Sequence, residues 1–141
     1  MAKRILISFD YDHDRNYRYL LSALKANESS LINFIDATPR EINSFDIGRI
    51  KAVLTQKIAQ STHILAIIGA HANTPHAQRM LIGDRNWQWW EINKGKELGK
   101  RFIAVKINRT NVSPDPILNT NATWALSFNI PAILAAINQS Q

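Results

Sequence analysis

"HILAIIG", residues 63–69, holds one polar side chain at its start and is otherwise unbroken apolar sequence ending on glycine. A run this short and this apolar fits a strand covered on both faces, as in a parallel sheet with helices above and below. It is the most apolar such run in the chain, which places it at the centre of the sheet. Shorter or weaker versions stand on either side: "RILISF" (4–9), "LINFID" (31–36), "RFIAVKI" (101–107) and "TWALSF" (123–128). Between them the spacing turns helical. Asp14 is placed to cap a helix carrying Tyr17, Leu20, Leu21 and Leu24 on one stripe. Ile47, Ile50, Leu54 and Ile58 repeat at helical intervals up to Gln60. A tryptophan-rich helix follows Asn86, and "IPAILAAIN" (130–138) closes the chain with proline early in its first turn. "SPDPILNTN" (113–121) has room for no more than a short turn of helix.

Strand and helix thus alternate five times. That pattern implies an α/β, three-layer fold with a five-stranded parallel sheet. With right-handed crossovers the expected strand order is flavodoxin-like, 2-1-3-4-5. Ligands of such sheets sit beyond the carboxyl ends of the strands, near the switch between strands 1 and 3. The residues after Phe9, Asp36, Gly69 and Ile107 are therefore the ones to weigh.

Composition narrows the function classes. A chain of 141 residues favours one domain, 1–141. The absence of cysteine excludes a disulfide scaffold, a thiolate metal site and a cysteine nucleophile. The apolar run after Met-Ala-Lys-Arg is too short for a secretory leader, and no stretch approaches the ~20 apolar residues of a membrane span. A cytoplasmic protein without membrane contact is expected. The net charge is +6, but the basic residues are scattered, with Lys94, Lys96, Lys100 and Arg101 the tightest group. A nucleic-acid partner is not expected on that distribution.

"FDYDHD" (9–14) brings three acids and a histidine to the end of strand 1. Asp10 and Asp12 fit the opening of a haloacid-dehalogenase-like phosphotransferase, but no later strand end supplies the acidic pair for Mg²⁺. A phosphorelay receiver needs an aspartate ending strand 3 and a lysine ending strand 5, where Gly69 and Phe128 stand. Oxygen ligation of a divalent cation and simple helix capping are the remaining readings. Glycine loops of the G-x-G-x-x-G and G-x-x-x-x-G-K-[ST] types are missing, as is a nucleophile elbow. His63 reads as structural. His71 and His76 fall in the long connection 70–85, near the expected site.

"NWQWWEINKGKELGK" (86–100) holds three of the four tryptophans around Glu91. At 100° per residue Trp87, Trp90, Glu91, Lys94 and Leu98 share a broad face, with Trp89 and Ile92 opposite. Trp89 and Ile92 are expected to pack the helix, Trp87 and Glu91 to face a ligand, and Trp90 is left open between the two. The helix dipole favours the Glu91 anion, whereas indoles that exclude water oppose it.

At this point the chain resembles a TIR domain, and more narrowly the ThsB group of bacterial Thoeris antiphage systems. "RILISFDYDHD", "NFIDATPREINSF", "STHILAIIGAHA" and "RNWQWWEINKGKELGKRFIAVKIN" match, in order, the first strand, the second strand and its loop, the third strand, and the tryptophan-to-glutamate helix leading into the fourth. Asp10 and Asp12 stand where many TIR domains carry basic residues. The resemblance implies a reaction on NAD⁺ as substrate, with no separate cofactor or metal. Glu91 would be the catalytic carboxylate; Phe9, Asp10, Asp36, His71 and Trp87 would line the substrate pocket. It further implies an ADP-ribose-derived signal that reaches a separate effector as a diffusible nucleotide. A phage-derived trigger and a homo-oligomer are further expectations. The alternatives are a TIR-like interaction module without catalysis and a metal-dependent phosphotransferase.

Overall fold

A computed structural model describes residues 3–27, 32–35 and 46–141. The elements run β1 (Lys3–Ser8), α1 (Tyr11–Asn27), β2 (Ile32–Ile35), α2 (Ile47–Gln60), β3 (His63–Ile68), α3 (Arg79–Ile82), α4 (Trp87–Glu97), β4 (Arg101–Lys106), a 3₁₀ turn (Asp115–Ile117), β5 (Thr123–Ala125) and α5 (Ile130–Gln139). The five strands form one sheet in the order β2-β1-β3-β4-β5. Every pairing is parallel. The expected architecture and strand order are those observed, with "HILAIIG" at the centre.

Alternation along the strands splits the core into two layers. Leu6, Ile64, Ala66, Ile68, Phe102 and Ala104 face one way, against Ile50, Leu54 and Ile58 of α2 and Trp90 and Ile92 of α4. Ile5, Ile7, Leu65, Ile67, Ile103 and Val105 face the other, against Leu21 of α1 and Ile133, Ala136 and Ile137 of α5. Helices therefore cover both faces, and β3 is buried at every position. Gly95 sets how closely α4 approaches. A β-carbon there would overlap Ile64 Cδ1 and meet Phe102, so only glycine lets the helix lie this near the sheet.

Three expectations are corrected. The cap of α1 is Asp10 rather than Asp14: Asp10 Oδ1 accepts from the Asp12 amide at 3.0 Å, and Asp10 O accepts the helical bond from Asp14 N at 2.8 Å. Asp14 lies inside the helix, one turn on, and is buried. The stripe shifts with it, since Leu21 is buried while Leu20 is exposed. Strand 5 ends at Ala125 instead of Phe128, and Leu126 and Ser127 after it are exposed. No helix among the described residues is long and apolar enough to cross a membrane.

Candidate functional site

The carboxyl ends of β1 and β3 meet the first turns of α4 on one side of the sheet and α1 on the other. Alternation decides what each strand residue meets. Ser8 shares the face of Leu6 and points to α4; Phe9 shares the face of Ile7 and is buried in the core beneath α1 and α5.

Asn86 starts α4 by accepting from the Trp89 amide at 2.9 Å, so the helix begins where the sequence places it. The Asn86 side-chain amide also donates to Ala72 O and Thr74 O, at 2.9 and 3.1 Å, tying that start to the 70–85 connection. The stripe facing the sheet is Gln88, Glu91, Ile92 and Gly95, all buried. Glu91 is 2% exposed. The Ser8 hydroxyl donates to Glu91 Oε1 at 2.8 Å. Gln88 Nε2 donates to Ser8 O at 3.0 Å and to Ile67 O at 2.8 Å. Burial pushes the Glu91 carboxyl up to about 8, and the Ser8 hydrogen bond, which favours the anion, offsets part of that rise. The acid is therefore neutral at pH 7 in this state, and desolvation outweighs the helix dipole.

The tryptophans divide differently from the expectation. Ile92 packs the helix as expected, but Trp89 does not accompany it. Its indole Nε1 donates to Asn73 Oδ1 at 2.9 Å, and the Arg85 guanidinium lies 5.8 Å from its ring centre. Trp89 thus holds the connection 70–85 to the helix. Trp90 is buried and meets Trp87 edge to face, with centroids 5.8 Å apart. Trp87 packs partly buried against the same core layer. The Lys94 ammonium stands 5.7 Å from the Trp90 ring.

Across the strand ends, the α1 side carries a polar group of its own. Asp10 Oδ2 pairs with His13 Nδ1 at 3.1 Å, and the His13 ring stacks on His71 at 3.6 Å between centroids. Sequence reasoning put Asp10 and His71 near the site, and the structure joins them through His13. Asp14 presses against Gly69, where a β-carbon would overlap its carboxylate, and its Oδ2 has no hydrogen-bond partner. Burial, then the charge of Asp10, raises the Asp14 carboxyl to about 6 against the pull of His13 and His71. His76 accepts from the Gln78 amide at 2.9 Å and shapes the connection. Buried His63, at the opposite end of β3, contacts Thr62 Oγ1 at 2.7 Å, in keeping with a structural role. Asp36 lies outside the described residues. Among the described residues no group of three histidine or acidic side chains is placed to hold a metal ion. Surface depressions of about 350 Å³ flank α3, lined by residues such as Arg79, Met80 and Asp84 or Ile47, Lys51 and Leu81, and by none of the expected site residues.

Sequence reasoning missed Ser8 and Gln88, and it noticed His13 and Asp14 in the acidic cluster after strand 1 without assigning them to the site. Ser8 was accessible from the strand's alternation, which puts it on the face of Leu6. Gln88 carried no signal, because a glutamine among tryptophans reads as the solvent side of a helix.

Solved structures share this fold at low identity. A 2-deoxyribosyltransferase from Leishmania mexicana superposes with a TM-score of 0.59 at 15% identity, covering 96% of this chain and 95% of that one. A prokaryotic SEFIR domain gives 0.57 at 15% identity, over 98% and 95%. A 2-deoxyribosyltransferase from the psychrotolerant bacterium Bacillus psychrosaccharolyticus gives 0.55 at 13%, over 92% and 95%. No curated protein sequence matches the chain. The profile of the Thoeris protein ThsB, TIR-like domain, matches residues 6–112, which run from within β1 through β4 and include Ser8, Gln88 and Glu91. The chain belongs to that family, the TIR-like domain of the Thoeris protein ThsB.

Proposed function

We propose that this chain is a TIR-type enzyme of antiphage defence that cleaves NAD⁺ between nicotinamide and ribose. The observation that carries the reading is the Glu91 carboxyl, bonded to Ser8 at the carboxyl end of β1, beside the switch between β1 and β3. A buried carboxyl with a displaced titration, at the strand ends where ligands of such sheets bind, is a functional-site candidate. Two fold relatives transfer a 2-deoxyribosyl group, one of them described as a biocatalyst for nucleoside synthesis, and this supports glycosyl transfer as a chemistry the fold accommodates.

In the proposed reaction the bond from ribose C1′ to the nicotinamide nitrogen breaks. Its electron pair goes to that nitrogen and neutralises the pyridinium, and positive charge develops at C1′. The Glu91 carboxylate stabilises that charge, and a preorganised group of this kind contributes about 3 kcal/mol. Nicotinamide leaves, and water or a hydroxyl or ring nitrogen of the ADP-ribosyl group then attacks C1′, releases a proton to solvent and gives an ADP-ribose-derived nucleotide. That product, diffusing to a separate effector, would be the defence signal, in the cytoplasm and after a phage-derived trigger. Glu91 is covered in the state described, so turnover includes a movement that brings the carboxyl to the ribose. Asp10 and His71, joined through His13, and Trp87 beside Trp90 are the described residues proposed to line the substrate's path.

The test compares wild type with Glu91→Gln in phage-infected lysate supplied with NAD⁺, with products separated by chromatography. Loss of the ADP-ribose-derived product in the variant, with the fold retained, is expected. Undiminished product from Glu91→Gln would sink the assignment. A second reading, an interaction module without catalysis, is favoured by Met80 and Leu81 of α3, which are 88% and 66% exposed beside the connection that leads into α4. It predicts a homo-oligomer or partner complex that dissociates on Met80→Ser with Leu81→Ser and survives Glu91→Gln, read by light scattering through a dilution series.

A further inference from the structure

Gln88 is a neutral side chain buried at the point where β1 and β3 send their chains to opposite faces of the sheet. Its two amide protons are spent on main-chain carbonyls of different strands, Ser8 O at 3.0 Å and Ile67 O at 2.8 Å. The same Ser8 carries the hydroxyl that meets Glu91 Oε1 at 2.8 Å. Gln88 sits in the first turn of α4, and Glu91 stands one turn further along the same buried stripe. One glutamine therefore ties together the end of β1, the end of β3 and the helix that carries the acid. A packing residue at this place would be apolar, and a residue serving only the helix would not spend both donors on the sheet. These two bonds fix the orientation of the amide, which leaves the buried Gln88 Oε1 without a hydrogen-bond partner.

We propose that Gln88 is a positioning residue. By pinning the ends of β1 and β3 to the first turn of α4, it holds the Ser8 hydroxyl against the Glu91 carboxyl. Only its consequence for turnover rests on the reading of Glu91 as the reacting carboxylate; the positioning itself does not. The effect is indirect, through the serine, and that gives it a signature. Ser8 favours the Glu91 anion. A Gln88 variant that lets Ser8 drift should therefore move the titration of Glu91 the same way as removal of the hydroxyl. A Gln88 variant that merely loosened the core would admit water and move it the other way.

The experiment follows the side-chain carboxyl ¹³C of Glu91 by NMR through a pH titration, with the signal assigned by its absence from Glu91→Gln. Four proteins are compared: wild type, Ser8→Ala, Gln88→Met and the double variant. Ser8→Ala is expected to raise the midpoint by about one pH unit, the scale of one lost hydrogen bond to a charged group. Gln88→Met is expected to raise it in the same direction, and the double variant to add little, since both changes remove one contact. If Gln88→Met does not melt cooperatively, Gln88→His, whose ring N–H can keep one strand end, takes its place. A midpoint that falls, stays put, or shifts additively in the double variant would overturn the proposal.

The second readout is NAD⁺ turnover at pH 7.5 in triggered lysate. For the Gln88 variant kcat/KM is expected to fall about tenfold, following the ionised fraction of Glu91 in the free enzyme across about one pH unit, with kcat changed much less because bound NAD⁺ favours the anion. The pH of half-maximal kcat/KM should rise with the NMR midpoint. The expected NMR pattern beside a Glu91→Gln variant that still turns over NAD⁺ would remove the catalytic reading and leave Gln88 as the residue that positions the acid. A normal rate and pH profile in Gln88→Met, beside an inactive Glu91→Gln, would remove Gln88 from the reaction.

Discussion

Glu91→Gln is expected to stabilise this protein, and by an amount that grows with pH. Burial raises the acid from its ordinary 4.5 to about 8 in the folded chain. Between those values the unfolded chain holds the ionised carboxylate while the folded chain keeps the proton. The folded state then binds one more proton than the unfolded state, so stability falls as pH rises, by about 1.4 kcal/mol per unit. At pH 7 the accumulated loss is about 3 kcal/mol, and above pH 8 it levels off near 5 kcal/mol. Glutamine cannot ionise and keeps an oxygen for the Ser8 hydroxyl, so the loss disappears. Against it stands one new buried N–H, which costs about 1–3 kcal/mol without a partner. The net gain at pH 7 is about 0–2 kcal/mol, or a rise in Tm of up to about 8 °C for a chain of this size, and it grows further between pH 7 and pH 8. Below pH 4.5 the sign reverses, because both side chains are neutral and only the added N–H counts. Denaturant melts of both proteins at pH 4, 5.5, 7 and 8.5 measure this directly. Parallel stability curves, or a difference that shrinks as pH rises, would refute the reasoning and show that Glu91 is hydrated in the folded chain.

Gly95→Ala should destabilise the fold by about 1–2 kcal/mol despite alanine's better helix propensity, because its β-carbon would displace Ile64 or lift α4 from the sheet; thermal melts at pH 6 check this. Gly69→Ala should cost about 1–3 kcal/mol through overlap with the Asp14 carboxylate, and most of that should return in Gly69→Ala with Asp14→Ala. A double variant no more stable than Gly69→Ala alone would place the clash on the backbone instead. Burial holds His63 down to about 4, so its neutral form is favoured in the folded chain. The unfolded chain protonates first as pH falls below about 6.5, so the His63 contribution to stability drops from there to about 4, opposing the Glu91 slope over the shared range. His63→Gln should flatten this acid limb while leaving the limb set by Glu91 unchanged.

The fold was legible because its signals were large. Five short apolar runs, with the most apolar in the middle, admit few arrangements other than a parallel sheet covered on both faces. The site was legible in part, and its failures share a cause. Periodicity sorts residues by polarity, yet α4 turns two polar residues inward. Gln88 and Glu91 face the sheet beside Ile92, Gly95 gives the closest approach, and of the three indoles only Trp90 is buried. An assignment of faces by apolar content therefore put Trp89 inside with Ile92. Asp14 was misjudged for a related reason. Three acids two residues apart all look like caps, and only the position of the first helical bond shows that Asp10 has the role. Phe9 follows Ile7 into the core under α1, which the alternation of β1 implies once Ser8 is given to the other face.

The cost of burying Glu91 bears on how the site would work. A carboxyl neutral at pH 7 and covered by its own helix cannot stabilise a developing cation. The substrate proposed for it brings the missing condition. Nicotinamide bound to ribose is a cation, and an opposite charge within about 4–6 Å lowers a carboxyl's pKa by about 1–3 units. Binding of NAD⁺ beside Glu91 would thus drive the acid toward its ionised form as the charged ring arrives. Ser8, which already favours the anion, adds to the same effect. The coupling is measurable as proton release. Titration of NAD⁺ into the triggered protein at pH 7, in buffers of different ionisation enthalpy, should show about 0.4–0.9 proton leaving per site, and none with Glu91→Gln. Equal heats in all buffers for the wild type would mean that the ring does not reach the carboxyl, and the nucleotide would then have to be placed elsewhere on the sheet's edge.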